Sequence, residues 1–247
     1  MRIVFLGDSL TEGRDGASYL AVLRRRAAEE AAPRGVELVN AGVGGDTVLN
    51  LLRRVPVDVV PLAPAWVVVL IGVNDATTAL ARRRPPTMRT LATRRYFQRE
   101  KHIRGAVTPA RYTDGLRLLV ETLRARTAAR IALCTPPTIG ESLAARSWRL
   151  LDQYAAAVRL VADERGCALI EVHAAFARAL AALPPRPLAT RLLGPLRARA
   201  LPSGDFEAIA RARGLTYTYD GVHLTAAGAA LVAETLYAWL ASRAPIA

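Results

Sequence analysis

The chain has few of the residues that support several common classes of protein. Its 247 residues include two cysteines and one lysine, Lys101, and no apolar run approaches the roughly 20 residues of a membrane span. Cys134 and Cys167 each stand at one end of an apolar run, which predicts two small buried thiols in neighbouring strands and neither a disulfide nor a reactive nucleophile. These shortages exclude a disulfide-held scaffold and an integral membrane protein.

Acidic residues are also scarce, and the formal net charge is +13. The arginines are scattered among alanines, as solvated helix faces would be, and the chain has no recognised nucleic-acid motif or aromatic stacking surface. We therefore expect no nucleic-acid partner. The chain opens on a strand-like segment without the regions of a secretory signal, which predicts a cytoplasmic location.

Strand-like and helix-like segments alternate along the chain. Short apolar runs lie at 2–6, 36–39, 66–71, 131–134 and 168–172, and helical patterns separate them. This alternation predicts a single α/β domain over 1–247, a three-layer sandwich with a five-stranded parallel sheet in the flavodoxin-like order. The helices are predicted on Tyr19 to Leu23, on Leu49, Leu52 and Val55, after the cap Thr108, on Leu150 to Val161, and after Thr225.

Two long insertions, about 76–107 and 176–216, interrupt the alternation. Both leave the sheet shortly after strand ends, so we expect them to overhang the active-site rim as lids or mobile segments. The first is rich in arginine and predicts either a basic rim that attracts anionic substrates or a solvated loop. Its arginines are Arg82, Arg83, Arg84, Arg89, Arg94, Arg95 and Arg99.

A polar turn follows the first strand directly. Gly7 ends the apolar run and Ser9 stands just before a helix, at the carboxyl edge where α/β sheets place their chemistry. A serine in this position is also an ordinary helix cap, so the short motif alone decides nothing.

Two further turns carry groups suited to an oxyanion. After the second strand, Gly42, Gly44 and Gly45 allow backbone N–H groups to approach a ligand, as either a phosphate loop or an oxyanion hole would need. The spacing does not fit a nucleotide-binding motif. After the third strand, the amide of Asn74 is either a turn-closing group or a further oxyanion donor.

A candidate general base lies near the end of the chain. Asp220 precedes His223 by three residues in a glycine-containing turn, where its carboxylate can hold Nδ1–H and leave Nε2 free to accept a serine proton. His102 and His173 have no such partner and are assigned ordinary surface or core roles. No two histidines stand at metal-ligand spacing, so no metal is expected.

Four blocks together resemble the SGNH hydrolase superfamily, the GDSL-type esterases and lipases. They are Gly7-Asp8-Ser9-Leu10, the glycine of Gly45-Asp46-Thr47, Gly72-Val73-Asn74-Asp75 and Asp220-Gly221-Val222-His223. The resemblance implies Ser9, Asp220 and His223 as the catalytic triad, and Ser9, Gly45 and Asn74 as the oxyanion hole. Gly44 is the alternative donor to Gly45. No Gly-x-Ser-x-Gly elbow is present, so the chain does not resemble an α/β-hydrolase.

The resemblance implies a serine hydrolase that cleaves carboxylic esters through an acyl-enzyme on Ser9, without a cofactor. Its substrate is a small ester: a short-chain acyl, lysophospholipid-type or O-acetyl compound. The alternatives are an acyltransferase or thioesterase on the same site, or a catalytically silent binding protein on the same scaffold. Composition does not indicate an oligomeric state.

Overall fold

Five parallel strands form the central sheet in a computed structural model that describes residues 1–29, 36–83, 87–184 and 205–242. The strands are β1 (Arg2–Gly7), β2 (Glu37–Gly42), β3 (Trp66–Leu70), β4 (Arg130–Cys134) and β5 (Ala168–Ile170). Their order is β2-β1-β3-β4-β5, which confirms the predicted flavodoxin-like sheet.

The register of the sheet brings the carboxyl ends of the strands to one edge. Gly7 is level with Gly42 on one side and with Leu70 on the other, and Leu70 is level with Cys134. The chain order reverses between β1 and β3, so the crevice that binds ligands in such sheets lies beside the turn after Gly7.

Helices cover both faces of the sheet. Ten α-helices lie within the described residues: α1 (Ser9–Glu12), α2 (Tyr19–Glu29), α3 (Val48–Arg54), α4 (Val73–Arg83), α5 (Met88–Arg99), α6 (Pro109–Arg126), α7 (Arg146–Glu164), α8 (Val172–Ala181), α9 (Phe206–Ala212) and α10 (Ala226–Ala241). Helices α2, α8 and α10 pack together, and α3, α4, α6 and α7 form a second group. The two groups give the predicted three-layer architecture.

All five predicted helices are found, and the predicted cap is confirmed: Thr108 accepts a hydrogen bond from Arg111 N at the start of α6. Thr225 likewise accepts from Gly228 N at the start of α10. In α3, Val48 and Leu51 are buried, whereas Leu49 and Leu52 are half-buried and pack against the core.

The strand predictions need two corrections. The fifth strand ends at Ile170 rather than 172, because Glu171 caps α8 and forms a two-point ion pair with Arg159 at 2.6 and 2.9 Å. The edge strands β2 and β5 are only partly buried, whereas β3 is buried throughout. An edge strand has a neighbour on one side only, which the apolar content of the sequence does not reveal.

The insertion at 76–107 is largely helical, not a loop. Helix α4 begins at Val73 and continues to Arg83, and α5 follows after the cap Thr87. Arg84 lies outside the described residues. The second insertion, 176–216, begins inside α8 and includes α9, and its residues 185–204 also lie outside the described part.

Among the described residues, no helix is long and apolar enough to cross a bilayer. The single-domain organisation and the cytoplasmic location stay predictions. Cys134 is buried in β4, but Cys167 is half-buried and precedes β5 rather than lying in it.

Candidate active site

The turn after β1 places Ser9 at the first position of a one-turn helix. The Asp8 side chain accepts a hydrogen bond from Leu10 N at 3.0 Å and caps α1, which ends at Gly13 with a left-handed backbone (φ 71°). The Ser9 hydroxyl is therefore held at the carboxyl edge of β1, and the Ser9 N–H belongs to the unpaired end of a helix. The sequence predicted Ser9 just before the helix, with a cap as its alternative role; the strand and the helix are confirmed, but Asp8 is the cap and Ser9 is the first helical residue.

Ser9, His223 and Asp220 come together in space. Ser9 Oγ lies 3.1 Å from His223 Nε2, although the two residues are 214 positions apart. His223 Nδ1 lies 2.7 Å from Asp220 Oδ2, and the other carboxylate oxygen accepts from the N–H groups of His223 and Val222 at 2.8 and 2.9 Å. Asp220 is 1 % exposed, whereas Ser9 and His223 are 8 % and 9 % exposed. Only the Ser9 and His223 end of this network therefore reaches solvent.

The charges of this pair stabilise each other. Burial alone would lower the pKa of His223, but the hydrogen bond and charge of Asp220, with the charges of Asp15 and Asp8, raise it above 6.5. Burial alone would raise the pKa of Asp220, but His223 and two backbone N–H donors lower it below 3.8. Asp220 is therefore a carboxylate at neutral pH, and it favours the imidazolium that forms when His223 accepts a proton.

The glycine loop after β2 distinguishes Gly44 from Gly45. The Gly44 N–H donates to Glu12 Oε2 at 2.9 Å and is occupied. The Gly45 N–H and the Ser9 N–H donate to no acceptor among the described residues. Gly45 has a φ of 78°, a conformation that residues with a Cβ rarely adopt. The loop thus offers the N–H of Gly45 and not that of Gly44.

The Asn74 amide reaches the glycine loop from the first turn of α4, not from the end of the strand as the sequence suggested. Its Nδ2 donates to Asp46 O at 3.0 Å and lies 3.4 Å from Asp8 Oδ2. The amide therefore lies between the Ser9 turn and the glycine loop. The structure brings together all the residues that the four blocks predicted.

The family-level comparison agrees with this geometry. The model of the GDSL-like lipase/acylhydrolase family matches residues 5–231. The chain belongs to this family. As a GDSL-type member, the protein is a carboxylic ester hydrolase, and the predicted resemblance to SGNH hydrolases is confirmed.

Individual relatives of this GDSL-family chain are similar over most of its length. It is 28% identical over 206 residues to the acetylxylan esterase of Geobacillus stearothermophilus. The match covers 76% of this chain and 83% of that protein. The crystal structure of Axe2, an acetylxylan esterase from the same organism, superposes with a TM-score of 0.66 at 23% identity over 97% and 93% of the two chains. The acetyl xylan esterase AlAXEase gives 0.65 at 21% over 97% and 99%.

An ion-pair cluster behind the glycine loop was missed by the sequence interpretation. The Asp46 carboxylate contacts Lys101 Nζ at 2.9 Å and Arg54 Nε at 2.8 Å, the second contact without hydrogen-bond alignment. Arg54 also donates to the carbonyl oxygens of Gly7 and Ala41, so it joins the ends of β1 and β2 to the loop. The only signal in the sequence was that Lys101 is the single lysine.

Two buried carboxyl groups near the GDSL turn were also not singled out as titratable. Burial raises the pKa of Asp8 to about 7, partly offset by the hydrogen bond from Leu10 N. Burial likewise raises the pKa of Asp75 to about 8, partly offset by the hydrogen bond from Val48 N. Both groups are therefore at least partly protonated near neutral pH.

The turn that carries Asp220 and His223 is held from behind by Glu141, which no sequence pattern identified. Its carboxylate is buried and accepts from the backbone N–H groups of Thr216, Tyr217 and Thr218 at 2.7–2.8 Å and from Thr218 Oγ1 at 2.9 Å. One carboxylate thus organises three consecutive backbone donors just before the His223 turn.

Proposed function

We propose that the protein hydrolyses carboxylic esters through an acyl-enzyme on Ser9. The observation that carries the proposal is the 3.1 Å contact between Ser9 Oγ and His223 Nε2, backed by Asp220 at 2.7 Å from the other ring nitrogen. This is the geometry in which an imidazole can accept the serine proton during attack on an ester carbonyl.

The reaction would proceed in two halves. In the first, Ser9 Oγ attacks the carbonyl carbon, His223 accepts the hydroxyl proton, and the same proton then passes to the leaving alcohol. In the second, water attacks the acyl-enzyme, gives a proton to His223, and Ser9 is released with that proton as the acid departs. Asp220 keeps Nδ1 protonated throughout.

The oxyanion would be held by the N–H groups of Ser9 and Gly45 and by the amide of Asn74. The unoccupied N–H groups of Ser9 and Gly45 support this assignment, and the engagement of the Gly44 N–H by Glu12 argues against the alternative donor. The Asn74 amide, which donates to Asp46 O in this structure, would donate a hydrogen bond to the oxyanion instead. One such donor in a dry site contributes about 3 kcal/mol of transition-state stabilisation.

The relatives favour a short acyl group, and we infer an acetyl ester of a carbohydrate as the first substrate class to examine. The curated relative is an acetylxylan esterase, and structures of Axe2 include catalytic mutants in which a serine, a histidine or an aspartate is replaced. The same three residue types, in the chain order serine, aspartate, histidine, form the contact network of this chain.

The test is hydrolysis of 4-nitrophenyl acetate and of acetylated xylo-oligosaccharides by wild type, Ser9→Ala and the exposed control Ser242→Ala. We expect Ser9→Ala to lose ester hydrolysis with an unchanged melting temperature, and Ser242→Ala to match wild type. An organophosphonate should label wild type on Ser9. A wild-type rate in Ser9→Ala would reject the mechanism, and labelled protein without turnover would favour a silent binding protein. Acyl transfer to an added alcohol in preference to water would favour the acyltransferase.

A further inference from the structure

The positive charge of the chain is concentrated in one segment. Residues 82–104, here called the basic segment, hold nine arginines and lysines and one glutamate, a net charge of +8 out of +13 for all 247 residues. The rest of the chain carries the remaining +5. A general preference for arginine does not explain why the excess is local.

The basic segment is fastened to the glycine loop beside Ser9. The Tyr96 hydroxyl lies 2.1 Å from the position that a Cβ would take on Gly45, and Lys101 Cε lies 2.8 Å from it. Lys101 Nζ pairs with Asp46 at 2.9 Å, and the Asn50 amide donates to Lys101 O at 2.9 Å. Helix α5 and the turn after it thus form one wall of the site.

Most of the cations in the basic segment have no carboxylate partner among the described residues. Five of its arginines are exposed and form no ion pair there: Arg82, Arg83, Arg95, Arg99 and Arg104. Exposed arginines without an ion pair also occur elsewhere among the described residues, for example Arg53, Arg126 and Arg149. The basic segment is therefore set apart by its net charge and by its contact with the glycine loop.

Two of these arginines are placed close to the residue that contacts the glycine loop. Arg95 precedes Tyr96 in α5, and Arg99 follows Tyr96 by three positions, which puts Arg99 on the same side of the helix. The Debye length is about 10 Å at 0.1 M salt and longer at lower salt, so the effect of these charges on a ligand should depend on ionic strength.

We propose that the basic segment recognises a negative charge on the alcohol part of the ester, so that the preferred substrates carry a carboxylate, sulfate or phosphate. The proposal rests on the ester hydrolysis assigned to Ser9. A nucleic acid fits the segment less well, because Phe97 is buried and Tyr96 is turned toward Gly45, so neither of these aromatic rings is presented to a base.

The test compares two aryl acetates that differ in one charge, 4-acetoxybenzoate and 4-acetoxybenzamide, each corrected for its rate of hydroxide hydrolysis. At about 0.02 M ionic strength, we expect kcat/KM to favour the anionic ester about tenfold, and the ratio to approach one at about 0.5 M. The variant Arg95→Gln/Arg99→Gln should lower the low-salt ratio at least about threefold. The control Arg25→Gln/Arg126→Gln removes two exposed cations from the opposite end of the sheet and should leave the ratio unchanged.

The outcomes separate this proposal from the proposed function. If wild type hydrolyses neither ester, the function assigned to Ser9 fails. If it hydrolyses both with the same salt response, that function stands and the recognition of anions is overturned. A preference for the anionic ester that survives in Arg95→Gln/Arg99→Gln, or that falls equally in the control, would also overturn the role of the basic segment.

Discussion

Replacing Glu141 by glutamine should destabilise the protein by an amount that can be worked out from its contacts. Glu141 Oε1 accepts from the N–H groups of Tyr217 and Thr218 and from Thr218 Oγ1, and Oε2 accepts from the N–H of Thr216 at 2.8 Å. A glutamine side-chain oxygen in the place of Oε1 can keep the hydrogen bonds from Tyr217 and Thr218. The glutamine NH₂ group then faces the Thr216 N–H, and because both groups are donors, no hydrogen bond forms between them. The lost bond involves a charged acceptor and contributes about 1.5–3 kcal/mol.

This loss should be visible in thermal unfolding. For a chain of this size, about 1 kcal/mol corresponds to roughly 2–4 °C in melting temperature, so Glu141→Gln should melt roughly 3–12 °C below wild type. The matched control is Glu121→Gln, which removes a single exposed ion pair with Arg165. The control should lose less than about 1 kcal/mol.

Activity should fall in the same variant, because the three anchored residues lead directly into the turn of Asp220 and His223. A small displacement of a catalytic group lowers the rate strongly, and we expect kcat at 25 °C to fall on the order of tenfold with KM little changed. A Glu141→Gln protein that melts within about 1 °C of wild type would refute the stability argument. One that melts early yet keeps the wild-type kcat would show that the anchor does not position the catalytic turn.

Two further predictions concern the oxyanion loop and the catalytic base. Gly45→Ala adds a Cβ at φ 78° and 2.1 Å from the Tyr96 hydroxyl, so the loop and its N–H should be displaced and kcat should fall on the order of 10²-fold. Tyr96→Phe in the same chain should restore part of the loss. Because alanine keeps the backbone N–H, an unaffected kcat would contradict the argument that the conformation and contacts of the loop require glycine at position 45. Because only neutral His223 accepts a proton and its pKa is raised above 6.5, kcat/KM should rise with pH through a midpoint above 6.5. Asp8, with a pKa of about 7, titrates in the same range, so a limb that disappears in Asp8→Asn but persists in Asp220→Asn would contradict the assignment to His223.

The same shifts give His223 and Asp220 opposite effects on stability. The folded pKa of His223 is raised, so its contribution is present below pH 6.5 and is lost as pH rises through the folded value. The folded pKa of Asp220 is lowered, so its contribution is present above pH 3.8 and is lost as pH falls through the folded value. The pair therefore stabilises the fold most between these two limits.

The parts of the site that follow strand ends could be predicted from the sequence. Ser9, the glycine loop and Asn74 each come soon after an apolar run, and parallel strands necessarily bring such turns to one edge. The pairing of Asp220 with His223 depends on a separation of three residues in one turn, which is a local property. The contact between Ser9 and His223, 214 positions apart, was implied by the resemblance to the SGNH hydrolases and by no local pattern.

The residues that the sequence did not reveal act through contacts between distant turns. Glu141 meets residues 216–218 across 75 to 77 positions, and Lys101 meets Asp46 across 55. Such contacts have no periodicity and no motif, so only the folded chain shows them. The helical nature of the first insertion was different, because Thr87 was available as a cap and the excess of arginine concealed it.

The site therefore combines two kinds of structure with separable effects. Ser9, the glycine loop and Asn74 follow strand ends of the sheet, and Asp220 and His223 lie in the turn before α10. The basic segment comes from an insertion that touches the glycine loop through Tyr96 and Lys101 and contributes no member of the Ser9, Asp220 and His223 network. Exposed residues of the insertion can therefore change the choice of alcohol without altering the acyl-transfer step.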